Sequence, residues 1–275
     1  AQRPVDDVTV VVKFLAPAQA NNPTWRQRFL RESHMQIQLK HPNIVELFSV
    51  DGVHSQPHLV MELVTGKELT DALEAVGMFA PEEATRVIRD LADALALAHK
   101  HGVIHRDIKP QNALVTTEGV VKLLDFGLAK NTEMDDGLSL AGQILGTPQY
   151  MAPEQLEGQV ADTRTDIFAF GALVYELVTG KRAFEGKSRA SLIAAILERQ
   201  PPPISSLQTM SPAALDRIVT TCLAKDPDAR WQSASDVGRQ FRWIAEAGAS
   251  ADGPAAAAPP VRTMRERLVW ALAGG

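Results

Sequence analysis

From Asp166 to Thr179 the chain is apolar on nearly every helical face, and it stops at Gly180. A helix that is apolar all round has to be enclosed by other elements, and this one is too short to cross a bilayer, which takes about 20 residues. It therefore predicts a helical lobe built around a buried central helix. Ahead of it, Val87, Ile88, Leu91, Ala92, Leu95 and Ala98 repeat at i, i+3, i+4 and i+7. Glu82 and Glu83 precede that pattern and His99, Lys100 and His101 follow it, charges that suit the two ends of a helix dipole, and Gly102 supplies the stop.

The first part of the chain reads differently. Val8 to Leu15 is β-branched and apolar with Lys13 in its middle, which predicts a buried strand carrying one charge. Asn22-Pro23 then offers a cap and a first-turn proline for a helix through Trp25, Phe29, Leu30, Ile37 and Leu39, and Ile44–Val50 and His58–Val64 read as two more strands. The expected architecture is thus α+β in two lobes: a small β-rich lobe over residues 1–64 and a larger α-helical lobe over 65–247. Beyond Ala247 the composition turns to Ala, Gly, Ser and Pro, so residues 248–261 are expected to be a linker. Residues 262–275 bring Arg262, Arg265 and Arg267 ahead of Leu268–Ala273, the pattern of a juxtamembrane segment leading into a span beyond Gly275.

Composition limits the partners. A net charge of −5 with no dense Lys/Arg block gives no footprint for nucleic acid. A single cysteine, Cys222, excludes an internal disulfide framework and suits a reducing compartment. The expectation is a cytoplasmic catalytic domain, membrane-anchored in the full-length protein.

Chemistry concentrates after the first large-lobe helix, in His105-Arg106-Asp107-Ile108-Lys109-Pro110-Gln111-Asn112. Phosphoryl transfer needs a carboxylate to orient and deprotonate the attacking hydroxyl, a cation on the γ-phosphate and oxygen ligands for Mg²⁺. Asp107, Lys109 and Asn112 suit those tasks in that order. After the expected strand Val120–Leu124, Asp125-Phe126-Gly127 places a second carboxylate at a strand end. Ala152-Pro153-Glu154 follows.

These three motifs, in order and at this spacing, resemble the signature set of the bacterial Ser/Thr protein kinases of the eukaryotic type, over roughly residues 1–247. The resemblance implies ATP and Mg²⁺ as cofactors, Asp107 as catalytic base, Lys109 on the γ-phosphate, and Asn112 and Asp125 as metal ligands. It also implies that Lys13 holds the α- and β-phosphates and pairs with Glu32. Met61 would stand at the back of the adenine pocket, Glu62 and Val64 would meet adenine through their backbone, and Glu68 would face the ribose. The segment Gly146–Glu154, with Thr147 in it, resembles the one that docks the protein acceptor, and with Lys109 it implies Ser/Thr acceptors. His105, Phe126 and Gly127 belong to the structural frame of the site. Asp166 resembles the aspartate that braces the catalytic loop, and Arg230 the buried partner of Glu154. Protein substrates, and self-association for autophosphorylation in trans, are the implied partners.

Three departures stand out. No G-x-G-x-x-G precedes Lys13, and with only twelve residues ahead of it the expectation is an N-terminally truncated small lobe with an unpaired strand edge. Gln36 falls where an apolar residue should stack toward Phe126 and His105. In the activation segment Ser139 is the candidate phosphosite, with Arg106 as a cation to receive it, and Ala141 stands where a second acceptor is common. A pseudokinase or docking module is the rival reading if the missing loop is genuine. A small-molecule phosphotransferase is a third, weakened by the acceptor-docking segment.

Overall fold

The structure is a computed structural model that describes residues 9–52, 56–126, 148–209 and 211–251. Gly127, Ser139 and Thr147 lie outside the described residues, as do most of the expected linker and all of residues 262–275.

The small lobe runs β1 (Val10–Phe14), α1 (Pro17–Ala20), α2 (Pro23–Gln36), β2 (Leu47–Asp51) and β3 (His58–Glu62). The antiparallel sheet has the order β1-β3-β2, with Lys13 opposite Leu59 and Val11 opposite Met61. Asn22 caps α2 as its sequence foretold, its side-chain oxygen accepting from the backbone N–H of Thr24 at 3.0 Å and of Trp25 at 3.3 Å. Among the described residues β1 is paired on one side only, and Val11 and Phe14 are exposed along it.

The large lobe follows with β4 (Gly66–Glu68), α3 (Leu69–Val76), α4 (Pro81–Lys100), β5 (Ala113–Thr116) and β6 (Val121–Leu123). After the activation segment come α5 (Pro153–Leu156), α6 (Thr163–Thr179), α7 (Arg189–Glu198), α8 (Ile204–Leu207), α9 (Ala213–Cys222) and α10 (Ala234–Ala251). A second antiparallel sheet, β4-β5-β6, carries the loops of the site at its ends.

Helix α6 is the buried axis that its composition requires: Phe168, Leu173, Val174 and Leu177 are inaccessible, and α4 and α9 pack against it. It starts three residues earlier than expected, because Asp162 and Thr165 form a capping box, Asp162 accepting from Arg164 N–H at 2.7 Å and Thr165 Oγ1 accepting from Asp162 N–H at 3.2 Å. Gly180 closes it at φ 68°, a left-handed position that suits glycine. At the other end of the chain α10 continues to Ala251, past the boundary expected after Ala247.

The strand expected from Ile44 begins only at Leu47, since residues 43–45 are occupied elsewhere. Val45 N–H donates to Leu123 O at 3.0 Å, Leu123 N–H to Asn43 O at 2.8 Å, and Asn43 Nδ2 to Val121 O at 2.7 Å. This stitch binds the loop after α2 to β6 and so joins the lobes. Helix α2 itself spans both cores, with Phe29 in the small-lobe cluster and Met35 packed against the large one.

Gly171 in α6 supports a direct test. A Cβ there would stand 2.5 Å from Cys222 Cβ, which no rotamer change relieves. Replacing a helix-interior glycine by alanine ordinarily gains about 0.5–1 kcal/mol, but overpacking a core costs about 1–3 kcal/mol. Gly171→Ala should therefore lower the urea midpoint, and a raised midpoint would show that α9 yields freely.

Candidate active site

The catalytic loop hangs from α6. Asp166 is fully buried, and its carboxylate accepts from His105 N–H at 2.7 Å through Oδ2 and from Arg106 N–H at 2.7 Å through Oδ1. His99, at the end of α4, meets the same Oδ2 through Nε2 at 2.8 Å. Two consecutive backbone N–H groups are thereby aimed at one carboxylate, which holds Arg106 at φ 65°, a strained conformation for a side chain of its size.

His105 links this anchor to Asp125. Burial pushes its imidazole below the ordinary 6.5, against the raising pull of Asp166, so the ring is neutral. Its Nε2 lies 2.6 Å from Leu124 O and its Nδ1 accepts from Asp107 N–H at 3.2 Å, which assigns the proton to Nε2. The ring also packs on buried Phe126, centroids 4.7 Å apart. One side chain thus sets the position of both carboxylate-bearing loops.

Asp107 and Asn112 meet within the loop. Asn112 Nδ2 donates to Asp107 O at 2.7 Å and to Asp107 Oδ2 at 2.9 Å, and Lys109 Nζ lies 2.9 Å from that same Oδ2. The backbone turn that allows this is the short 3-10 helix Pro110–Asn112. Asp125 stands at the end of β6 at φ 47°, with its carboxylate exposed. Among the described residues no three His, Cys, Asp or Glu side chains cluster as metal ligands. One exposed carboxylate and an amide oxygen nonetheless fit a hard cation that takes the rest of its shell from phosphate oxygens and water.

The pair expected between Lys13 and Glu32 is not made. Lys13 Nζ donates to Asp125 Oδ1 at 2.6 Å, while Glu32 Oε1 lies 3.5 Å from Arg106 Nη1. Each of the two thus meets an opposite charge from the large lobe. Gln36, expected as a polar intruder, is indeed buried, its Oε1 has no partner among the described residues, and it lines with Phe126 a cavity of about 140 Å³ behind the loop. An unsatisfied buried acceptor costs about 1–3 kcal/mol, which loosens the packing where an apolar side chain would have tightened it.

The remaining expected residues fall as follows. Met61 and Glu62 end β3 at the seam between the lobes, and Val64 follows, half-buried. The Glu62 carboxylate turns to Lys122 Nζ at 2.9 Å and Glu46 N–H at 3.2 Å, and its own backbone N–H donates to Glu46 O at 2.9 Å. Glu68 is exposed on β4 opposite Leu114. Glu154 and Arg230 form a buried bidentate pair, both contacts 2.8 Å, with Thr165 Oγ1 adding a hydrogen bond at 2.7 Å. Burial acts to raise the Glu154 pKa, but Arg230's hydrogen bonds and charge outweigh it and hold the carboxyl below 4.5.

Two contributors escaped the sequence. Gln155 accepts from Ala152 N–H through Oε1 at 3.0 Å and donates from Nε2 to Arg106 O at 3.1 Å, tying the segment before α5 to the catalytic loop. His99 adds the third contact to Asp166. Their position beside a motif was the sole signal, since an amide or imidazole has no period or spacing of its own.

Both titrations act in one direction on stability. His105 and Glu154 are depressed in the folded state, so the unfolded chain binds more protons as pH falls, first through 6.5 and then through 4.5. The melting temperature should fall in two stages on acidification from neutrality. Glu154→Ala, which leaves Arg230 buried without its carboxylate, should cost about 3–5 kcal/mol in a denaturant titration; a loss below 1 kcal/mol would mean that the carbonyls of Ala224, Arg164 and Lys225 already satisfy Arg230.

Comparison with known proteins agrees with this geometry. A family model described as the protein kinase domain matches residues 2–241. A probable serine/threonine-protein kinase PknB of Corynebacterium glutamicum is 38% identical over 246 residues, covering 85% of this chain and 38% of the relative. Serine/threonine-protein kinase PknB of Mycolicibacterium smegmatis is 34% identical over 263 residues, covering 94% of this chain and 41% of the relative. PknB of Mycobacterium tuberculosis is 34% identical over 233 residues, with 83% and 37% covered. The chain thus spans well under half the length of these relatives.

Proposed function

Because this chain belongs to the protein kinase domain family, we propose that its cleft transfers the γ-phosphoryl group of ATP to Ser or Thr hydroxyls of proteins, its own included. The carrying observation is the cluster of Asp107, Lys109 and Asn112 on a loop whose backbone is fixed by a buried carboxylate. Asp107 orients the acceptor hydroxyl and takes its proton, and Lys109, already within reach of that carboxylate, steadies the transferring phosphoryl group. Asn112 and Asp125 are the side chains that would hold Mg²⁺, which when bound would supply positive charge against the phosphates.

In the arrangement described, Lys13 and Asp125 neutralise each other, and both are about half exposed, so the pair is worth little and opens readily. Nucleotide phosphates would take Lys13, and the metal would take Asp125. The names of the relatives support Ser/Thr acceptors, as does Lys109. Anchoring through a segment beyond Gly275 remains part of the reading; among the described residues no helix is long and apolar enough to cross a membrane.

The test is phosphate incorporation by the intact protein with Mg-ATP. Asp107→Asn keeps the shape and removes the base, and should lower the rate by about 10²-fold or more. Asp125→Ala should be as inactive through loss of the metal. Full activity in either variant, or phosphotyrosine as the main product, would refute the reading.

A further inference from the structure

Away from the phosphoryl-transfer cleft, the large lobe holds a cavity of about 630 Å³ between the turn Pro148–Tyr150 and the start of α7. Its floor is apolar, from Phe184 and Leu192, and its walls carry Arg182, Lys187 and Arg199 against the single acid Glu185. In a chain of net charge −5 this local excess of cations runs against the average field. Lys187 and Arg199 form no hydrogen bond or ion pair from their side chains among the described residues, while Arg182 reaches Glu176 at 3.8 Å and the Tyr150 hydroxyl. Lys187 and Arg199 thus leave two cations facing the cavity.

The same cavity reaches Gln149, whose Oε1 is shielded from solvent yet accepts no hydrogen bond among the described residues. Buried polar atoms are normally paired, and an acceptor left open at the edge of a cavity suits a donor that arrives with a ligand, such as a peptide N–H. Gln149 is also well placed with respect to the chemistry. Its neighbour Tyr150 donates to Glu176, and Gln155, beyond it, is tied to Arg106 of the catalytic loop.

We propose that this cavity selects protein substrates by binding an acidic side chain, Glu or a phosphorylated residue, that flanks the acceptor hydroxyl. The apolar floor takes the methylene stem, the cations take the anionic end, and Gln149 takes a backbone N–H of the same segment. The inference rests on the protein-kinase reading above and narrows it to acceptors with a nearby negative charge.

Binding and turnover separate the two. Fluorescently labelled peptides, identical except for Glu, phosphoserine or Gln placed in turn at each position flanking one threonine, would be titrated against the protein without nucleotide. At one flank the Glu and phosphoserine peptides should bind about tenfold more tightly than Gln, the difference shrinking at high salt. In the charge-reversal variants Lys187→Glu and Arg199→Glu that preference should vanish, while kcat toward the Gln peptide stays unchanged. Discrimination by phosphoserine alone would keep the site and restrict its ligand to already phosphorylated proteins. Equal binding of all peptides at every flank, or a preference that survives both reversals, would overturn the proposal, and would do so whether or not the protein phosphorylates the threonine.

Discussion

A carboxylate buried as completely as Asp166 would be untenable without partners, and the partners it has chosen are backbone N–H groups of the loop that carries the chemistry. This trades one problem for another. The N–H groups of His105 and Arg106 cannot join a helix or strand in a loop that must present Asp107 to a substrate, and the carboxylate satisfies both at once. The strained φ of Arg106 persists because α6, anchored in the core along its whole length, does not move to relieve it. The position of Asp107 is therefore set by a helix that is buried along nearly its whole length.

A chain of neutral contacts carries that rigidity onward. His105 ties Asp107 N–H to Leu124 O, so the loop and the strand end before Asp125 share one ring. The charged groups of the site are held differently: Lys13 and Asp125 make an exposed pair, and Arg106 reaches Glu32 at the limit of a hydrogen bond. Firm neutral contacts position the site, and weak charged ones leave its electrostatics open to exchange with a ligand.

Much of this was legible in the sequence, for identifiable reasons. The apolar run of α6, the amphipathic period of α4 and the cap at Asn22 each follow from a local rule, and their elements formed close to where those rules put them. The motif residues could be named because each is a rare type at a fixed spacing. What could not be read was pairing. Lys13 and Glu32 were expected to meet, and each instead meets a charge from the other lobe, Asp125 and Arg106, a choice across the chain that has no local signature. The late start of β2 has the same origin, since a β-branched run does not say which lobe it will pair with.

The stitch at residues 43–45 sets the mechanics of the small lobe. At about 1.5 Å per residue, α2 is about 21 Å long, and its last turn is fastened to the large lobe while its first turn travels with the sheet. It is a lever with its fulcrum beside Gln36. Glu32 sits about 6 Å from that point and Trp25 about 16 Å, so tilting the helix moves Glu32 a little over a third as far as Trp25. Glu32 and Gln36 stand four residues apart, on one face of the helix, so a roll about its own axis would turn both together. The reach of one acidic side chain and the environment of one amide are geared together.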